Sequence, residues 1–197
     1  MLTPSPMDND ARINLLARVA RSASAPGRLV DPAMPVSILS LTAASYGARP
    51  SEDATVPTGF DPLAVALFEA IVEGAYLVAN ADGVFDDRER ETFERVVVAA
   101  CGGTVAPPQI AALVSDLADQ LEEDGMDARV EALSRIVTKR EHAHEVLRIA
   151  ALLAQSSEDV SAVERDVLTK IAKQCGLEPG QVDVALLEVK EALSVAR

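Results

Sequence analysis

The sequence predicts an all-α fold: a compact bundle of about seven helices formed by two weakly similar helix–loop–helix repeats, preceded by a partly ordered N-terminal arm. Three observations point there. From Asp61 onward, apolar residues recur at spacings of three and four almost everywhere. Ala, Leu, Glu and Arg dominate, and alternating β-branched runs are scarce. Helix start and stop signals also fall at the edges of the periodic runs. Asp61-Pro62 is an N-cap followed by a first-turn proline, and Asp86 and Ser161 each precede a Glu by three residues (Glu89 and Glu164). Gly102 and Gly176 stand where helices end.

Taken in order, residues 1–57 read as a neutral, Pro-rich arm. They hold seven of the 11 prolines, with five basic and five acidic side chains. Two short helical pieces are expected there, roughly Asp8–Ala23 and Pro35–Tyr46. In the first, Ile13, Leu16, Ala17 and Ala20 share one face, with Arg12 and Arg18 off it. Two readings of this arm stay open: a loosely docked segment, or a helix that engages a partner or lies on a membrane surface. A domain boundary is expected between 57 and 58.

Residues 58–197 carry 13 basic and 26 acidic side chains, which is the entire net charge of −13. Helices are expected at roughly 61–81, 86–101, 107–124, 126–140, 142–156, 161–175 and 179–195. A shift of 75 residues lays Tyr76-Leu77-Val78-Ala79 on Ala151-Leu152-Leu153-Ala154 and Glu89-Arg90-Glu91 on Glu164-Arg165-Asp166. One further slip lays Cys101-Gly102 on Cys175-Gly176. The stretch 126–140 then links two copies of helix, acidic loop, helix, Cys-Gly turn, helix.

Composition excludes several classes. An isoelectric point near 4.5 is wrong for a nucleic-acid binder, which needs a basic surface to displace counterions. With 49% hydrophobic residues the chain is too apolar for a disordered acidic tail. The most apolar window, Pro62 to Ala81, is interrupted by Glu69 and Glu73, so no transmembrane helix is expected. Arg12, Arg18 and Arg21 have no apolar core beside them, so no signal peptide is expected either. Two cysteines make no disulfide framework, and a reducing cytoplasm is the expected setting.

The most patterned stretch is Ala79-Asn80-Ala81-Asp82-Gly83-Val84-Phe85-Asp86-Asp87-Arg88-Glu89. A helix ends, Gly83 permits a sharp turn, and Asp86 starts the next helix, with Phe85 placed to staple onto Arg90 or its neighbours. Four acids within eight residues repel one another unless water, a basic side chain or a cation compensates. Laying Gly83 on the turn glycine of an EF-hand loop puts Asn80, Asp82, Asp86 and Glu89 at ligand positions. The first ligand position falls on Val78, which has no oxygen to offer. The corresponding places in the second copy are Leu153, Gln155, Ser157, Glu158, Ser161 and Glu164, which keep mainly the final Glu. Two readings of the loop stay open. In one, Asn80, Asp82, Asp86 and Glu89 hold a divalent cation (Ca or Mg), weakly or with help from a partner. In the other, the acids are solvated or paired with Arg88 and Arg90.

The stretch "LVANADGVFDDRERETFERVV" resembles the TerB-like domain, that of the tellurite-resistance TerB family, which also occurs near the N-terminus of DjlA-type membrane co-chaperones. Ala81-Asp82-Gly83, Phe85, Glu89 and Phe93 fit its pattern. The second copy departs from it, with Ser157 in place of Asp and Glu158 in place of Gly. The resemblance covers roughly 60–195. It implies a compact all-α fold with an acidic surface, and metal association through the acids of the Ala-Asp-Gly motif. It also implies a non-catalytic interaction module in tellurite or general stress response. The departure in the second copy counts against a two-site metal arrangement, and residues 1–57 have no counterpart in short stand-alone members.

Other residue patterns carry less. Glu69, Glu73 and Asn80 lie within about 40° on a helical wheel and read as a solvated helix edge or an extension of the acidic cluster. Glu141 and His144 have the Glu-x-x-His spacing of di-iron bundles, but no second such pair exists, and His142 and His144 point apart on a regular helix. Cys101 and Cys175 read as small packing residues under helix ends, or else as a redox pair. No phosphate loop, nucleophile elbow, paired Cys-x-x-Cys or His-Glu-x-x-His motif is present. The expected function is therefore a non-catalytic module that offers an acidic loop to a cation or to a basic protein partner, with no nucleic-acid partner. The first alternative is a divalent-cation sensor. The second is a carboxylate-metal enzyme, a hydrolase or ferroxidase using Glu69, Glu73, Glu141 and His144.

Overall fold

The computed structural model describes residues 8–22, 36–48, 60–155 and 160–196. Among these it shows nine helices: α1 (Asn9–Arg21), α2 (Ile38–Gly47), α3 (Pro62–Ala79), α4 (Asp87–Ala100), α5 (Pro107–Asp124), α6 (Met126–Ile136), α7 (Arg140–Ala154), α8 (Ala162–Gln174) and α9 (Gln181–Val195). The extended pairing among them is one isolated antiparallel bridge, Ser22 to Val36. The fold is all-helical, and α3 to α9 correspond to the seven helices expected after Asp61.

The centre of the bundle is the pair α3 and α7, with α2, α6, α8 and α5 also packed against α3, and α9 lying on α7. The reason is legible in α3 itself: Val65, Leu67, Phe68, Ala70, Ile71, Val72, Ala75, Tyr76, Leu77 and Val78 are all buried. A helix apolar on every side must be surrounded. By length and hydropathy α3 would also span a bilayer, but 67% of that 18-residue window is buried within the bundle. Asp61 accepts a hydrogen bond from the Leu63 N–H (2.9 Å), and Pro62 stands in the first turn, as the start signal requires. Gly74 lets α7 approach closely, because a Cβ there would lie 2.6 Å from Val146 Cγ1. Gly47 closes α2 against the turn after α4, where a Cβ would meet the Thr104 carbonyl oxygen at 1.8 Å.

The helix boundaries differ from expectation chiefly between α6 and α7. The helix expected over 126–140 stops at Ile136, because Val137 leaves helical geometry (φ −86°, ψ 76°) and turns its side chain into the core. α7 then begins at Arg140. No glycine or proline marks this break.

The N-terminal helices are joined more firmly than a loosely docked arm would be. Ile13, Leu16, Ala17 and Ala20, the expected apolar face of α1, are buried in the common core together with Leu15 and Val19. α1 packs on α4 and α9, and Asp10 accepts a hydrogen bond from Arg95 of α4. Leu39, Ala43 and Tyr46 of α2 are buried against α3, where the Tyr46 and Phe68 rings lie 4.6 Å apart. The boundary expected between 57 and 58 lies outside the described residues.

A buried ion pair on α7 holds both N-terminal helices. Arg148 donates to the Val19 and Ala20 carbonyls (3.1 and 3.0 Å) in the last turn of α1. Glu145 accepts from the Leu39 N–H (3.1 Å) in the first turn of α2. The two side chains also bond each other, Nε to Oε2 at 2.8 Å and Nη2 to Oε1 at 3.0 Å. The cation thus meets the negative end of one helix dipole and the anion the positive end of another. Neither group is left buried without a partner, the condition for an ion pair of this kind to be tolerated.

Candidate functional site

The α3–α4 loop is built from its ends inward. α3 stops at Asn80, whose N–H reaches the Tyr76 carbonyl at 2.9 Å, and the Gly83 N–H closes a turn on the Asn80 carbonyl at 3.1 Å. Gly83 has φ of 77°, the left-handed conformation that favours glycine. Asp82 then folds back, its Oδ1 accepting from the Val84 N–H at 3.0 Å. Asp86 and Glu89 form a complete capping box: Asp86 Oδ1 accepts from the Glu89 N–H (2.8 Å) and Glu89 Oε2 from the Asp86 N–H (3.1 Å). The expected cap is therefore present atom for atom.

Phe85 anchors the loop from below, but not where the staple rule placed it. Its ring meets Tyr76 (5.3 Å) and Phe93 (5.9 Å) edge-on, and these two also contact each other at 6.2 Å. Arg90 lies elsewhere, bonded to Glu94 at 2.9 Å. Three of the few aromatic rings in the chain thus clamp the loop to both helices it joins.

The acids face outward. Asp82, Asp86, Asp87 and Glu89 are exposed. Among the described residues none of them is in an ion pair; Arg90, one of their expected partners, is taken by Glu94. Asp82, Asp86 and Glu89 each commit one carboxylate oxygen to a backbone N–H of the loop. Asn80 donates to the Tyr76 hydroxyl at 3.3 Å. Val78, at the place of a first calcium ligand, is fully buried. Among the described residues, no group of three or more His, Cys, Asp and Glu side chains is disposed to hold a metal ion. The loop therefore offers exposed carboxylates of which Asp82, Asp86 and Glu89 each keep a second oxygen uncommitted to the loop backbone, a surface suited to an outer partner. The counterpart residues Ser157 and Glu158 lie outside the described residues, but Ser161 and Glu164 form a second capping box at the start of α8.

Glu73, Glu141 and His144 do not join the loop. Glu73 is not a solvated edge: it is 5% exposed and bonded to Arg129 of α6 at 2.6 Å, while Arg129 also holds Asp124 at 3.0 Å. Burial raises the Glu73 pKa, and the hydrogen bond and charge of Arg129 partly offset this. Glu141 and His144 line a groove on the other side of α7, facing α9, and His144 accepts from Arg140 at 3.4 Å. The structure does not bring Glu73 together with Glu141 and His144. His142 is half-buried, which lowers its pKa with help from nearby Lys139. Burial pushes the Cys101 and Cys175 thiols up to about 12 and about 11, the opposite of what a reactive thiolate needs.

Glu145 and Arg148 escaped sequence reasoning. Their signal was present: two opposite charges, three apart, one at the head of and one within the otherwise apolar run from Val146 to Ala154. Glu188 of α9, which shares the groove with Glu141, gave no signal.

No curated protein and no solved structure shows a match to the chain. The family model described as tellurite resistance protein TerB matches residues 68–187, from the middle of α3 into α9, and so includes the whole acidic loop and its aromatic anchor. That match takes in well over half of the chain, which belongs to the TerB family.

Proposed function

We propose that the chain is a non-catalytic interaction module of the cytoplasm, acting in tellurite or general stress response, and that its working face is the Asp82–Glu89 loop. The loop presents Asp82, Asp86 and Glu89 to a basic protein partner or to a cation that such a partner completes. One observation carries this reading: the capping box and the aromatic clamp fix the loop from within, yet its carboxylates have no cationic partner among the described residues. A fixed anionic surface loses little freedom when a partner docks. TerB family membership supports the setting.

The test exploits the cap. Asn is as good an N-cap as Asp, and Gln serves at the third position as Glu does. The triple variant D82N/D86N/E89Q therefore removes three charges and leaves the loop folded. In a host lacking the gene, wild type is expected to restore growth on tellurite and the triple variant to fail at equal abundance. Full restoration by the variant would refute the assignment of this face.

A second reading is favoured by the order of Asn80, Asp82, Asp86 and Glu89 around Gly83. In it a divalent cation binds the loop and shifts α3 against α4, as in a sensor. Titration of the full chain with calcium and magnesium, followed by amide chemical shifts, decides it. Saturable shifts at Asp82 to Glu89 in wild type and not in Asp82→Ala support the sensor. No shift at millimolar ion removes it.

A further inference from the structure

A groove of about 490 Å³ opens between α7, α9 and the start of α2, away from the acidic loop. It has the volume of a small-molecule site. Its two N-terminal wall residues, Val36 and Ile38, lie outside the region that matches the TerB family. They are held in place by the Glu145 bond to the Leu39 N–H. The groove is thus made where the N-terminal helices dock on α7.

The lining combines three chemistries, with the polar side chains of His144 and Gln181 beside them. Val36, Ile38 and Val184 form an apolar wall, and Val36 and Val184 are 53% and 45% exposed, large for valines beside a core. The Glu145–Arg148 pair lies at the groove with its charges matched internally. Glu141 from α7 and Glu188 from α9 stand on different helices around the same space, and among the described residues neither is in an ion pair. Arg140, one turn before His144, is bonded to that histidine. A groove that carries both an apolar wall and two carboxylates outside any ion pair is complementary to a cation carried on a hydrocarbon stem. A bare metal ion would leave the valines unused, and a neutral apolar ligand would leave the carboxylates unpaired.

We propose that this groove binds a small linear aliphatic amine, its ammonium between Glu141 and Glu188 and its methylene chain along Val36, Ile38 and Val184. The site is separate from the α3–α4 loop, and nothing in the proposal depends on that loop's function.

The experiment is calorimetry and amide-shift mapping of the full chain with 1-aminopentane, beside 1-pentanol as a neutral control of equal length. Saturable binding of the amine is expected, with shifts centred on His144, Val184 and Ala185, and none with the alcohol. E141Q and E188Q should each weaken binding about tenfold, the loss of one charge-assisted hydrogen bond. Their melting temperatures should stay at the wild-type value. D116N/D119N, on the exposed outer face of α5, should bind as wild type does, and so should D82N/D86N/E89Q. Equal weakening by D116N/D119N would overturn the proposal in favour of diffuse attraction to a chain of charge −13. Absence of saturable binding would overturn it outright. Tighter binding of N-acetyl-lysine methylamide than of 1-aminopentane would overturn it in favour of a lysine side chain from a protein partner.

Discussion

Glu89 and Glu145 are the same side chain on helices of similar length, put to opposite uses. Glu145 is buried, and both its oxygens are committed, to Arg148 and to the first turn of α2. Glu89 is exposed and commits one oxygen to the backbone that begins its own helix. The first holds elements together that lie 106 residues apart in sequence. The second holds only its own loop and leaves charge at the surface. A carboxylate with both oxygens answered from within the fold is structural, whereas one with a single oxygen answered remains available to an outside partner.

The contrast can be broken most forcefully at α7. Arg148→Ala should destabilise the chain by about 3–5 kcal/mol, because it leaves Glu145 buried without its cation and the end of α1 without its donor. Urea unfolding measures the loss, and hydrogen exchange should show α1 and α2 losing protection before α3. A change under about 1 kcal/mol would mean the pair is incidental to docking.

Glu73 sharpens the comparison, being buried like Glu145 but less completely compensated. Burial raises its pKa above the ordinary 4.5. The folded chain therefore takes up a proton more readily than the unfolded chain. The resulting stabilisation is fully present below pH 4.5 and is lost as pH rises through the folded-state value. Relative to Glu73→Gln, wild type should gain stability as pH falls towards 4.5 in paired urea titrations. A gap independent of pH would contradict the assignment.

At the loop the effects should be smaller. Asp86→Ala removes the cap of α4 and should cost about 1 kcal/mol. Asp82→Asn touches only a surface turn and should stay within about 0.5 kcal/mol of wild type in the same assay. If Asp82→Asn proved as damaging as Asp86→Ala, the loop acids would be structural after all.

The helices from Asp61 onward and the caps at Asp61, Asp86 and Ser161 were legible in the sequence, because period and capping are local. So was the apolar face of α1. The firmness of its docking was not, since it rests on Arg148, 128 residues from Ala20. The burial of Glu73 was hidden for the same reason, its partner Arg129 lying 56 residues away. The end of α6 was missed because Val137 turns inward without a glycine or proline to announce it. Of the loop, the cap could be read in full. The contact of Phe85 with Tyr76 and Phe93 could not, because it depends on where α4 comes to lie after the loop.

The most direct test of the working face is quantitative capture from native host lysate by the full chain and by D82N/D86N/E89Q, at matched fold and melting temperature. The variant is expected to lose the partners that wild type retains and that high salt releases, since exposed charge contacts are screened. An unchanged set of captured proteins would contradict the account and return the loop to the status of a well-capped turn.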